Sequence, residues 1–355
     1  MNRLRLTAVA AAAVVALLSA CSSATEPAAE PATTTSAAAS AEPTAPPTAE
    51  RTTFRIASLK GPTTMGLVEL MDSATQGTAR HDYQVTVYGT PDEVLPKILQ
   101  GDVDVAMVPA NVAAVLYNKT KQSAGEPQVQ VAAVNTLGVL QILETGDTVH
   151  AMTDLAGRTV YSTGKGASPQ YVLEHLLTAN GLDPATDVHV EYLSEPTEVA
   201  ARLAAEPDAV GVLPQPYATV VTAQVPGARV ALDLTDEWAK VEPDSALVTG
   251  VVVVRTAFAA EHAAAFDEFL ADYEASTAFT NEHPDEAGEL IAAAGIVPKA
   301  PLATAAIPAS HIVYLDGDEL RADLGGYLAV LAAADPASVG GALPGDDFYY
   351  TPAGG

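Results

Sequence analysis

Two hydrophobic periods alternate along most of this chain. Apolar runs of strand length recur at Phe54-Arg55-Ile56-Ala57-Ser58-Leu59, at 83–88, at 103–109 and at 129–134. Helical patterns lie between them: one starts at Leu67, one spans 91–100, and one spans 111–118. Pro91 suits the first turn of its helix and Gly101 suits its end. Pro96 falls inside the same segment, where a missing donor opposes a helix. The alternation restarts near residue 137. Strands are predicted at 138–143, after the Asp154-Leu155-Ala156-Gly157-Arg158 turn, at 188–193 and at 209–213, with helices at 169–179, 197–205 and 217–224. Strand–helix alternation of this kind predicts an α/β fold.

The last third reads differently. One strand, 250–255, precedes helical stretches at 260–283, 286–294, 301–308 and 318–334. Phe266, Phe269, Leu270 and Tyr273 fall at i, i+3, i+4 and i+7, the stripe of a helix packed by one face. A stripe of this kind is expected to be core. Trp238, with Asp236, Glu237 and Lys240 around it, is expected to be a half-buried helix residue. Phe348-Tyr349-Tyr350 is expected to pin the C-terminus.

The first residues carry an address. Arg3 and Arg5 precede an apolar run from Leu6 to Leu18. The run has signal-peptide length and is short of the about 20 residues that span a bilayer. It ends in Leu18-Ser19-Ala20-Cys21, which resembles a bacterial lipobox, and Cys21 is the only cysteine. We therefore expect a signal peptide over 1–20 and lipidation at Cys21, which would hold the chain on a membrane surface. Residues 22–50 are Ala, Pro, Thr, Ser and Glu with almost nothing bulky, and 21–51 is expected to form a disordered tether.

The charge is −27, from 17 Lys plus Arg against 44 Asp plus Glu. Nucleic acid, which is held by cations on phosphates, is therefore not an expected partner. The seven histidines show no short ligand spacing, so no metal is expected. The lone cysteine is assigned to lipidation and no Gly-x-Ser-x-Gly elbow is present. Neither catalysis nor a cofactor is expected.

Several segments together resemble a family. Asp154 to Val160, then Gly164 to Ser168, then a helix closed by Asn180-Gly181-Leu182-Asp183-Pro184 looks like the start of the second lobe of type II periplasmic solute-binding proteins. The nitrate, sulfonate and taurine type, which includes binders of thiamine-pyrimidine precursors, is the most similar. Leu99 to Ala106 and Asp208 to Pro216 resemble the corresponding helix-to-strand steps of the two lobes, and Gly340 to Tyr350 resembles the tail of one branch. The resemblance implies a two-lobed α/β fold with two crossover strands. Lobe one would comprise 52–136 and 250–355, and lobe two 137–249. It also implies a monomer that captures a small molecule between its lobes and passes it to the permease and ATPase of an ABC importer, on the extracytoplasmic face of the membrane. Two other readings stay open: a lipoprotein sensor or partner-binding protein of the same fold, and an exported enzyme.

In such folds ligands sit beyond the carboxyl ends of the strands. Four loops qualify. Thr63, Thr64 and Met65 lie in a small-residue loop before a helix, where they can contact a ligand or serve as a plain turn and N-cap. Gly164, Gly166 and Ser168 open another helix, and the two glycines allow close backbone approach. Asn111 and Gln215 each offer a donor and an acceptor, and Tyr217 offers a ring and a hydroxyl. Their alternatives are an N-cap for Asn111 and core packing for Tyr217. Thr136 and Thr249 lie at the two expected crossings, as cleft residues or as ordinary strand residues. No arginine lies in these loops, so a bidentate carboxylate clamp is not expected.

Overall fold

The computed structural model describes residues 51–352, which belong to one compact unit. The expected signal peptide, Cys21 and nearly all of the expected tether lie outside the described residues.

The strands are β1 (Thr53–Leu59), β2 (Asp82–Tyr88), β3 (Val105–Pro109), β4 (Val129–Thr136), β5 (Leu140–Thr145), β6 (Thr159–Ser162), β7 (His189–Tyr192), β8 (Val210–Pro214), β9 (Ala228–Asp233), β10 (Gly250–Arg255) and β11 (Ile312–Leu315). The helices are α1 (Pro62–Met65), α2 (Val68–Gln76), α3 (Pro91–Gln100), α4 (Ala110–Ala124), α5 (Ser168–Ala179), α6 (Pro196–Ala205), α7 (Tyr217–Gln224), α8 (Leu234–Val241), α9 (Thr256–Glu261), α10 (Ala263–Glu282), α11 (Pro284–Ala293), α12 (Ala300–Ala306) and α13 (Gly317–Ala334).

Two mixed sheets result. One has the order β11-β4-β10-β3-β1-β2 and the other β7-β6-β8-β5-β9. Each repeats one plan. In the first, β1 runs parallel to β2 and β3, and β10 is antiparallel to β3 and β4. In the second, β6 runs parallel to β7 and β8, and β5 is antiparallel to β8 and β9. The restart of the sequence pattern near residue 137 is thus a repeated sheet plan. The chain leaves the first sheet after Thr136 and returns to it at Gly250.

The first sheet is covered on both faces, as its near-continuous apolar strands require. The Val251–Val254 run shows this directly: Val251 and Val253 enter one apolar cluster, Val252 and Val254 another. The second of these holds the expected stripe: Phe266, Phe269, Leu270 and Tyr273 share one cluster with Phe54. Phe269 stacks on Phe54 at a centroid distance of 5.3 Å. Removing a side chain of this size from water stabilises the fold by about 1.5–3 kcal/mol. That scale also explains α3, which continues through Pro96 because Val94 and Ile98 are buried on its inner face.

The two sheets do not rest on separate cores. The largest apolar cluster joins Ala57, Val108 and Val253 of the first sheet to Val160 and Val212 of the second. Trp238 and Tyr327 belong to it and lie 5.5 Å apart. The half-buried position expected for Trp238 is corrected here. Its ring is 1 % exposed, and its indole N–H donates to the Ser245 carbonyl at 3.0 Å. Of the charged residues around it, Asp236 and Lys240 are exposed, whereas Glu237 is buried and accepts from Lys240 Nζ at 2.6 Å.

Other differences from the sequence reading are local. The helix expected over 260–283 is two, α9 and α10, joined at the non-helical His262. Strands β9 and β11 were not anticipated, whereas the helix expected around Trp238 is α8. At the C-terminus, Phe348 is fully buried, Tyr349 bridges Val131 of β4, and the Tyr350 hydroxyl donates to Asp267 at 2.7 Å. The tail is pinned as expected.

Candidate functional site

Because both sheets share one plan, the loops after β1 and β6 are counterparts, as are those after β3 and β8. All four of the sequence-selected loops lie at these carboxyl ends, and the structure brings them together in a seam between the sheets.

One junction joins α4 to α5 through buried side chains. Asn111 is fully buried at the head of α4 and Ser168 is 1 % exposed at the head of α5. The Ser168 hydroxyl donates to Asn111 Oδ1 at 3.1 Å. Asn111 Nδ2 donates to the Ser338 carbonyl at 3.1 Å and lies 3.5 Å from the Gly166 carbonyl. Asn111 is therefore neither free nor an N-cap: it ties the second sheet and the C-terminal segment to the first sheet. Gly164 and Gly166 have φ of +73° and +77°, a region that side chains disfavour. A Cβ on Gly164 would also sit 2.8 Å from the ring of Pro169. Backbone conformation alone accounts for glycine at these positions.

The 61–66 loop differs from the expected form. Residues 62–65 make a separate single turn, α1, before Gly66 and α2. The hydroxyls of Thr63 and Thr64 both reach back to the Leu59 carbonyl, at 3.1 and 2.5 Å. Met65 is fully buried in an apolar cluster with Val68, Ile291 and Ile307. These side chains build the turn that closes β1.

The crossings lie beside this turn. Thr136 is buried, and its hydroxyl donates to Asn135 Oδ1 at 2.9 Å. Thr249 is half-buried, and its N–H donates to the Thr136 carbonyl at 3.0 Å. Gly250 leaves room for its neighbours: a Cβ there would be 2.5 Å from Asn135 Oδ1 and 2.8 Å from Thr63 Cγ2. Behind α1, Asn135 Nδ2, Tyr273 Oη and Thr277 Oγ1 are buried and make no hydrogen bond of normal geometry among the described residues.

The turn after β8 divides its roles. Gln215 is 2 % exposed and precedes a cis proline, Pro216. Its Nε2 donates to Gln141 at 3.0 Å, and its Oε1 accepts from the Thr219 hydroxyl at 2.8 Å. Gln215 is thus bonded within the second sheet's own elements. Tyr217, the next residue but one, is half-buried and faces open space.

That space is a cavity of about 330 Å³ reaching both halves of the molecule. Lys60, Ile296, Val297 and Pro298 line it from the side of the first sheet, and Tyr217 and Val220 from α7. Its volume falls within the about 300–1,000 Å³ usual for small-ligand sites. Most of the lining is apolar. Lys60, Thr197, Tyr217 and Gln224 are the polar side chains. Burial, then the charge of Glu195, pushes the Tyr217 phenol above its ordinary pKa, so it stays a neutral hydroxyl. Lys60 makes no ion pair among the described residues. The arrangement suits a ligand with an apolar or flat body against Tyr217 and Val220 and an acceptor group near Lys60.

Among the residues selected from the sequence, Tyr217 alone lines this cavity. Lys60 was missed, although one signal marked it: a cation at the end of the first strand, in a strongly acidic chain. Ile296 to Pro298 carry no such signal, because only tertiary packing brings the α11–α12 connection to the seam.

A family model described as NMT1/THI5 like matches residues 82–287. The chain belongs to the NMT1/THI5-like family. The NMT1/THI5-like match spans β2 to the first turns of α11, so it contains the second sheet, Asn111, Ser168 and Tyr217. Comparison with curated proteins returns no match. Solved structures add the fold. An ABC transporter protein from Parabacteroides distasonis superposes with a TM-score of 0.68 at 21 % identity, over 84 % of this chain and 99 % of that one. The zinc-bound ligand-binding component of an ABC-type import system from Staphylococcus aureus gives 0.65 at 15 %, over 85 % and 97 %. The periplasmic aliphatic sulphonate binding protein SsuA from Escherichia coli gives 0.65 at 17 %, over 84 % and 96 %. This NMT1/THI5-like chain therefore has the periplasmic-binding-protein fold. Among its described residues no helix is long and apolar enough to cross a membrane.

Proposed function

We propose that this chain is the solute-binding component of an ABC importer, capturing a small molecule between its two sheets and delivering it to the permease. The observation that carries the reading is the 330 Å³ cavity, which Lys60 lines from the end of β1 and Tyr217 from the start of α7. Ligands of open α/β sheets bind at such strand ends. The fold, shared with a ligand-binding component of an import system and with a sulphonate-binding protein, supports it.

In this reading 52–136 with 250–355 form one lobe and 137–249 the other. The shared core through Trp238 and Tyr327, together with the Asn111–Ser168 bond, forms the hinge side. The cavity forms the mouth. Tyr217 and Lys60 are the contacts with the largest share in binding. Asn111, Ser168, Gln215, Thr136, Thr249, Thr63 and Thr64 shape the seam, with Met65, Gly164 and Gly166 supporting its loops. Lipid on Cys21 holds the protein at the extracytoplasmic membrane face, and the mature chain acts as a monomer without catalysis.

The test is thermal unfolding of a chain starting near Ala49, just ahead of the compact unit, against sulfonates, nitrate, pyrimidines, flavins and amino acids. A ligand at about a hundred times its dissociation constant adds about 2.7 kcal/mol to native stability. A saturable rise in Tm with one class supports solute capture. No rise with any class, in protein shown by mass spectrometry to be ligand-free, counts against it.

A further inference from the structure

A second cavity lies at the opposite end of the first sheet. It measures about 710 Å³ and is lined by Arg51, Thr53, Arg55, Asp104, Arg255 and His262, among others. Arg55 sits near the start of β1, whereas Lys60 follows its end. A strand of seven residues covers about 20 Å, so this groove is remote from the seam.

Its charge is unlike that of the rest of the molecule. The chain has 17 basic against 44 acidic residues, yet three arginines line this one cavity against two carboxylates, Asp104 and Glu261. Asp104, 1 % exposed, serves two guanidiniums at once. Arg55 holds it through Nε and Nη2 at 2.8 and 2.6 Å, and Arg255 through Nη2 at 2.8 Å. Asp104 thus faces two positive charges, Asp102 acts on Arg55 through charge alone, and Nη1 of each arginine donates to no described residue. Arg51 gives its Nη atoms to the neutral carbonyls of Ala79 and His81, both at 2.8 Å, which fixes the guanidinium without cancelling its charge. These contacts hold three planar donors in place around one opening.

We propose that this groove binds a phosphate group. Fixed guanidiniums match phosphate oxygens in geometry and bear charge at every physiological pH. Two carriers share this chemistry: the headgroup of an anionic phospholipid and free inorganic phosphate. The groove adjoins the point where the chain enters the compact unit, at Arg51.

The test uses the compact unit from Glu50, wild type and Arg51→Gln, with circular dichroism to confirm folding. Inorganic phosphate is titrated by calorimetry at low and high salt. Phosphatidylcholine vesicles with and without phosphatidylglycerol are used in co-sedimentation. Saturable phosphate binding that weakens about tenfold in Arg51→Gln and falls with salt is expected. Co-sedimentation only with phosphatidylglycerol, lost in the variant, assigns the group to lipid; phosphate binding without co-sedimentation assigns it to the free anion. Arg55→Lys, which keeps the charge but loses the fork, should also weaken binding. Absence of both phosphate and vesicle binding overturns the proposal. So does binding that Arg51→Gln and folded Arg55→Lys leave unchanged, since that locates the anion elsewhere, the seam included.

Discussion

Ser168 Oγ donates to Asn111 Oδ1 across the seam at 3.1 Å, joining the heads of two helices that belong to different sheets. Both residues are buried, so neither can exchange this bond for one to water. Asn111→Ala should destabilise the protein by about 1–3 kcal/mol, because it also strands the Ser338 carbonyl. Ser168→Ala should cost less. Denaturant unfolding of both singles and the double should show a coupling of about 0.5–3 kcal/mol. Additive effects would mean the bond contributes nothing across the seam.

Two glycines should respond to alanine with opposite signs. At Gly250 the new methyl would meet Asn135 Oδ1 and Thr63 Cγ2 at distances no Cβ tolerates, and overpacking of this kind costs about 1–3 kcal/mol. Gly325 lies inside α13, where the nearest atom to a Cβ would be the Tyr349 hydroxyl at 3.5 Å. There Gly325→Ala should stabilise by about 0.5–1 kcal/mol through helix entropy. Melting temperatures of the two variants check the pair.

Asp104 should make stability fall in acid. Burial alone would raise its pKa, but hydrogen bonds from Arg55 and Arg255 win and hold it below the ordinary aspartate value. A lowered folded-state pKa stabilises fully above the unfolded value of about 3.9 and is lost as pH drops through the folded one. Asp104→Asn should therefore flatten the stability profile below about pH 4. At neutral pH it should cost roughly 3 kcal/mol, the lower end for a broken buried pair, because Arg55 is 43 % exposed and can return to water. Urea midpoints across pH 3–7 measure both.

The sequence revealed the repeated α/β plan because strand and helix periods alternate cleanly around apolar runs such as Phe54–Leu59 and Val251–Val254. It hid β11, where Ile312-Val313-Tyr314-Leu315 is a short apolar run that periodicity cannot distinguish from helix. Strand position correctly led to the seam loops. It did not separate residues that face open space from those that build the seam. Thr64, Asn111 and Gln215 have ligand-like chemistry, yet partners distant in sequence or hidden by the turn, such as Ser338 and Gln141, take up their hydrogen bonds. Ile296 to Pro298 could only be found by knowing where α11 and α12 pack.

The central claim, capture of a solute at the mouth between the sheets, is tested most directly by calorimetric titration of wild type, Tyr217→Ala and Lys60→Gln with the ligand class that raises Tm. Loss of a buried aromatic contact or of a charge-assisted hydrogen bond should weaken binding about tenfold or more in each variant. Folding stability should change little for Lys60→Gln, whose side chain is exposed. Wild-type affinity retained in both variants would contradict the account and place the solute site outside this cavity.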